Sequence, residues 1–152
     1  VNMILYNTRL QNGLPELIRE KSVESPHQVI TCAEHVYQIC KEALELHTRT
    51  EEYVYLFAIN TTGTILGCFE VSHGTVSCTV VTPREILMKL LLIGAVSFTL
   101  AHNHPSGNLE PSREDICLTK RIRKAGRLIG IELLDHIIVT ADGYRKLFDD
   151  AA

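Results

Sequence analysis

The stretch Val96-Ser97-Phe98-Thr99-Leu100-Ala101-His102-Asn103-His104-Pro105-Ser106-Gly107 decides the architecture. Val96 to Ala101 is short and almost wholly apolar, which predicts a central strand buried on both faces. It runs into His102 and His104, and at a strand's period of two both imidazoles project to the same side. A loop rich in Gly, Pro and Asn then continues to Pro111. Ser112 suits a helix N-cap, and Gly130 suits the residue just past that helix's end. Ile131 to Thr140 reads as a further strand, and Ala141-Asp142-Gly143 as a turn.

Working back toward the N-terminus, Thr82-Pro83-Arg84-Glu85 is a helix start, and Gly94 ends the helix it opens. Tyr53 to Asn60 and Thr64 to Ser72 are rich in aromatic and β-branched residues around the turn Thr61-Thr62-Gly63, which predicts a hairpin. His73-Gly74 breaks the chain before a third strand, Thr75 to Val81. Ser25-Pro26-His27-Gln28 repeats the helix-start pattern, with Ser25 as N-cap and Pro26 at the first helical position. Val29, Ala33, Val36, Cys40, Ala43 and His47 follow at helical spacing, predicting about five turns. In residues 1–24, Asn12-Gly13 reads as a turn and Leu14 to Lys21 as a short strand or a helical turn.

The predicted order from Ser25 onward is α-β-β-β-α-β-α-β. This is an α/β chain with a mixed sheet and helices on its faces, a three-layer α/β/α sandwich. Two segments are expected: an N-terminal arm over 1–24 and one domain over 25–150.

The chain has 152 residues, enough for one domain with a substantial core. Its net charge of −3 gives no global electrostatic case for nucleic acid or anionic membrane. No apolar run reaches the ~20 residues needed to cross a bilayer, and Val1 to Leu10 lacks the features of a signal peptide. The five cysteines (Cys32, Cys40, Cys68, Cys78 and Cys117) are scattered, with no C-x-x-C pair. They read as small buried hydrophobes in a reducing cytoplasm rather than as a disulfide framework.

Asp115 supplies the chemical clue. It lies three residues before Leu118, on the stripe that Leu118, Ile122, Ala125 and Ile129 form along the third helix. A carboxylate there points inward, beside the loop that leaves the two histidines, and burying it without a partner is costly. A metal held jointly by His102, His104 and Asp115 removes that cost. Two imidazoles and one carboxylate leave a fourth tetrahedral position open, the arrangement of catalytic rather than structural zinc. Glu70, set between Phe69 and Val71, is an unusual strand carboxylate. It serves as general base if its strand neighbours that of His102. Ser112 is placed to donate a hydrogen bond to a developing oxyanion. Asp135 and His136 are read as partners supporting the ligands.

Glu70, then His102-x-His104-Pro105, then Ser112-x-x-Asp115, resembles the JAMM (MPN+) metallopeptidase signature. The longer words Pro83-Arg84-Glu85, His102 to Gly107, Pro111 to Asp115 and Leu134-Asp135-His136 closely resemble the RadC-type JAB domain, over about Ser25 to Val139. The resemblance implies the MPN fold (JAB1/MPN, cytidine deaminase-like). It implies zinc on His102, His104 and Asp115, with Glu70 as base and Ser112 as oxyanion donor. It also implies a protein or peptide substrate. Asn103 stands where many JAMM peptidases have Ser, though Asn is usual for RadC-type chains. The helix-hairpin-helix region that precedes the domain in full-length RadC relatives is not in this sequence.

Two other readings compete with a hydrolase. Arg113, Lys120, Arg121, Arg123, Lys124 and Arg127 make the outer side of helix 112–129 basic. That fits a DNA-associated accessory module with a structural zinc, although no aromatic residues interleave with the charges. A deaminase-like activity ranks last, since zinc deaminases use a His/Cys/Cys or three-Cys set with H-x-E.

Overall fold

The computed structural model describes residues 1–74 and 80–148. The strands are β1 (Asn2–Gln11), β2 (Leu14–Glu24), β3 (Glu52–Ile59), β4 (Ile65–Gly74), β5 (Ser97–Asn103), β6 (Glu132–Thr140) and β7 (Gly143–Lys146). The helices are α1 (Ala33–Glu42), α2 (Pro83–Ile93) and α3 (Arg113–Ile129). The strands make one sheet in the order β2-β1-β4-β3-β5-β6-β7. The β1/β4 and β5/β6 pairs are parallel, and every other pair is antiparallel.

The near-continuous apolar runs of β3 and β5 follow from burial on both faces. On one face Tyr55, Phe57, Ala101 and Ile137 pack with Val36, Ile39 and Cys40 of α1. On the other, Leu56, Phe69, Phe98 and Leu100 pack with Ile86 and Leu90 of α2 and Leu118 and Ile122 of α3. The result is the expected three-layer α/β/α sandwich. Each fully buried Leu or Ile contributes about 1.5–3 kcal/mol to this core.

Two helix starts with the same sequence pattern behave differently. Thr82 caps α2, its side chain accepting the Glu85 N–H, with Pro83 in the first turn and Gly94 left-handed at the end. Ser25-Pro26 opens no helix. The chain from Gln28 to Ile30 is extended and pairs with the β3–β4 turn: Ile65 N donates to Gln28 O and Ile30 N to Gly63 O, both at 2.9 Å. The Ser25 hydroxyl turns back to His27 O at 2.7 Å. These tertiary bonds use backbone groups that a helix would need, so α1 begins at Ala33 and spans ten residues. His47 falls in a separate 3-10 turn, Leu46–Thr48.

Residues 1–24 form a hairpin around Asn12-Gly13, both at positive φ, as a tight two-residue turn requires. Leu14 onward is therefore strand. The hairpin joins the sheet through Leu5 and Tyr6, which pair with Cys68 and Phe69 of β4. The third strand expected over Thr75–Val81 lies outside the described residues except for Val80 and Val81, which are not in a strand. Strand β7, an addition to the expected elements, pairs antiparallel with β6.

The inward stripe of α3 also differs in its last turn. Ile129 is 44% exposed, and Gly126 is buried instead. A Cβ at Gly126 would sit 2.3 Å from the Ile131 carbonyl, so only glycine lets α3 approach the start of β6 this closely. Cys40 and Cys68 are buried, whereas Cys32 and Cys117 are exposed.

Candidate metal centre

The last residues of β5 carry the site. His102 is fully buried on the face toward α3, opposite in direction to Ala101. His104 follows two residues on, its backbone N–H still bonded to Val139 O of β6 at 3.2 Å. Asp115 arrives from the first turn of α3. Ser112 holds it there through a reciprocal cap. The Asp115 N–H donates to Ser112 Oγ at 3.0 Å, and the Ser112 N–H donates to Asp115 Oδ2 at 2.8 Å. This capping box both starts the helix and aims the carboxylate at the histidines.

The three side chains converge. His102 Nε2 lies 3.2 Å from Asp115 Oδ1, and His104 Nε2 lies 3.1 Å from Asp115 Oδ2. The two Nε2 atoms are 3.1 Å apart. One ligand atom from each residue falls within 4.8 Å of the others. His104 Nδ1 is 2.7 Å from the Asn108 carbonyl, which can only accept, so Nδ1 carries a proton and a neutral His104 has its lone pair on Nε2. Two imidazole nitrogens and a carboxylate therefore face a shared point, a donor set that suits a divalent metal ion.

Electrostatics agree with that geometry. Burial would raise the Asp115 pKa, but the adjoining His102 and His104 rings and the Ser112 N–H outweigh it and hold the carboxyl far below the usual range. The Asp115 carboxylate raises the pKa of His104 against the opposing effect of burial. Burial pushes His136 well below the ordinary imidazole value.

His136 faces the ligands as expected. Its Nε2 lies 2.8 Å from His102 Nδ1, and its Nδ1 lies 2.7 Å from Thr119 Oγ1. Asp135 does not. Neighbours in a strand face opposite sides, and the register of β6 sets Asp135 opposite Thr99, on the far face with Ile137. Its carboxylate pairs with Lys146 at 3.2 Å. Ser112 is exposed and touches the site through its backbone N–H.

Glu70 is likewise on the other face. Phe69 and Val71 both face α2 and α3, so the residue between them faces away. Glu70 pairs across the sheet with Tyr55, whose hydroxyl donates to Glu70 Oε1 at 3.3 Å. The carboxylate on the ligand side is Glu52. Val54 pairs with His102, and Glu52, two residues earlier, shares the face of Val54 at the level of His104. Its charge raises the His104 pKa. The start of β3 is held by Asn103, whose side-chain oxygen accepts the Tyr53 N–H at 2.7 Å and whose NH₂ donates to Glu51 O at 2.9 Å. The sequence signal for Glu52 was its alternation with Val54 and Leu56. What it lacked was the β3/β5 register.

Comparison with known proteins gives a consistent picture. A family model described as a RadC-like JAB domain matches residues 30–150. A UPF0758 protein of Desulforamulus reducens is 40% identical over 119 residues, covering 78% of this chain and 52% of the relative. One from Methanosarcina mazei is 35% identical over 131 residues, covering 86% and 56%. One from Rubrobacter xylanophilus is 45% identical over 93 residues, covering 61% and 40%. The chain thus spans about half the length of the curated relatives it matches. With a mixed-sheet sandwich, a His-His-Asp cluster at the end of β5 and this match over most of its length, the chain belongs to the RadC-like JAB domain family.

Proposed function

We propose that the chain is a zinc-dependent hydrolase of amide bonds, with a peptide or isopeptide as substrate. The supporting observation is the convergence of His102 Nε2, His104 Nε2 and the Asp115 carboxylate, with Glu52 beside them on the same sheet face. Three protein ligands of this kind are the pattern of catalytic zinc, which keeps a position free. The JAMM signature that the sequence resembles uses the same donor set.

When bound, zinc would supply Lewis-acid polarisation of the scissile carbonyl and of the attacking water. The remaining work falls to the chain. Glu52 accepts a proton from the attacking water and returns it to the leaving amine, replacing Glu70 in that role. Asn103 holds the backbone on both sides of Glu52, so the carboxylate is presented from a fixed strand. The Ser112 hydroxyl accepts the Asp115 N–H, which leaves its own O–H to donate to the carbonyl oxygen as negative charge develops.

The test pairs metal content with turnover on internally quenched peptides and lysine ε-amide conjugates. The expected result is zinc-dependent cleavage that Glu52→Gln abolishes while zinc stays bound. Cleavage undiminished in Glu52→Gln, or a zinc-replete wild-type chain that cleaves none of these amides, overturns the proposal.

A further inference from the structure

Thr119 sits one helical turn after Asp115 on α3 and is buried against the sheet. Its hydroxyl donates to the Asp115 backbone carbonyl at 2.7 Å. A carbonyl has no proton to give, so this bond has only one direction. With its hydrogen committed, Thr119 Oγ1 accepts from His136 Nδ1 at 2.7 Å. A neutral imidazole carries one proton, so His136 Nε2 is then an acceptor. The neighbouring His102 Nδ1, 2.8 Å away, must be the donor. In a neutral imidazole, the form that binds a metal, His102 Nε2 then holds the lone pair, 3.2 Å from Asp115 Oδ1.

We propose that Thr119 and His136 are positioning residues for the metal centre: they fix His102 in the Nδ1–H tautomer and aim its Nε2 at the metal. This inference rests on the metal reading of the site. The chain of bonds begins at the Asp115 carbonyl and ends at the imidazole that faces the Asp115 carboxylate. One residue of α3 therefore contributes a ligand through its side chain and sets the polarity of a second ligand through its backbone. His104 needs no such relay, because the Asn108 carbonyl fixes its tautomer directly. Supporting partners of this kind orient ligating imidazoles and sharpen metal affinity.

The relay makes Thr119 more than a filler of space. Valine has nearly the same shape and no hydroxyl, so it preserves packing and removes the polarity. Serine keeps the hydroxyl. The experiment measures two quantities on wild type, Thr119→Val and Thr119→Ser. The first is the tautomer of His102 in metal-free protein in mildly alkaline buffer, read from long-range proton–nitrogen NMR correlations. The second is zinc affinity by chelator competition. The expected wild-type signature is a protonated Nδ1 and a bare Nε2. Thr119→Val is expected to lose that single tautomer and about 10–100-fold in zinc affinity, and Thr119→Ser to keep both. A wild-type His102 protonated at Nε2 overturns the proposal without any need for the variants. So does Thr119→Val binding zinc as wild type does. A wild-type chain that shows the Nδ1–H tautomer and yet binds no zinc contradicts the metal reading and removes the relay's role in positioning a ligand.

Discussion

Asn103 and Tyr53 are joined at 2.7 Å, the Tyr53 N–H donating to the Asn103 side-chain oxygen. Asn103 lies between the two histidines, yet its side chain points to the opposite face, where it also donates to Glu51 O. Its carboxamide acts as a piece of backbone that continues the β3/β5 ladder past the last peptide pair, Val54 and His102. A residue inside the H-x-H word thereby fixes the strand that carries the proposed base.

Asn103→Ala is expected to destabilise the fold by about 1–3 kcal/mol, because it leaves the Tyr53 N–H and Glu51 C=O without their buried partner. Zinc affinity should stay near that of wild type, since both imidazoles keep their own supports. Urea unfolding and chelator competition on the same protein check this. A variant as stable as wild type contradicts the role assigned to Asn103.

Glu52 and Glu70 separate cleanly by substitution. Glu52→Gln is expected to lose about 10²–10⁴-fold in turnover, the usual scale of general acid–base assistance. Glu70→Gln, which alters a contact with Tyr55 on the far face, should leave turnover and metal binding unchanged. Steady-state rates on a common amide substrate decide between them. A large loss in Glu70→Gln with none in Glu52→Gln reverses the assignment.

That pair shows where sequence reading runs out. His102, His104, Asp115 and Ser112 were legible because two short local rules, strand alternation and helix capping, act within a few residues. The choice between Glu70 and Glu52 depends on how β3 registers against β5, a strand remote from it in sequence. Phe69 and Val71 did carry the answer for Glu70, since both of its neighbours face the ligand side. The false helix start at Ser25-Pro26 has a similar cause. The local pattern was sound, but the β3–β4 turn claims the backbone of Gln28 to Ile30.

The metal-free protein should show a distinct pH dependence. The His104 pKa is raised in the fold by the Asp115 carboxylate, so the stability it contributes is fully present below its ordinary value, about 6.5, and is lost as pH rises through the folded value. The Asp115 pKa is depressed, so its contribution is present above the ordinary carboxylate range and is lost progressively as pH falls below that range. The urea midpoint of chelator-treated protein is therefore expected to fall across the window above about pH 6.5. Zinc affinity should climb over the same window, because His104 must shed its proton to bind. A midpoint and an affinity that are both flat there contradict the His104–Asp115 coupling.

Asp115→Ala removes a cap and a ligand together. It should cost about 1 kcal/mol in metal-free stability through the lost capping box, and it should abolish zinc binding. Thermal midpoints measured with and without zinc separate the two effects, since only wild type should gain stability from the metal. A zinc-induced shift surviving in Asp115→Ala removes this carboxylate from the ligand set.

In the proposed site one metal ion joins β5 to the head of α3. X-ray absorption on zinc-loaded protein reads it most directly. About one zinc per chain is expected, with two imidazole nitrogens and a carboxylate oxygen at ~2.0–2.2 Å, and loss of the signal in His102→Ala. Zinc coordinated by sulfur, or a spectrum unchanged in His102→Ala, contradicts it.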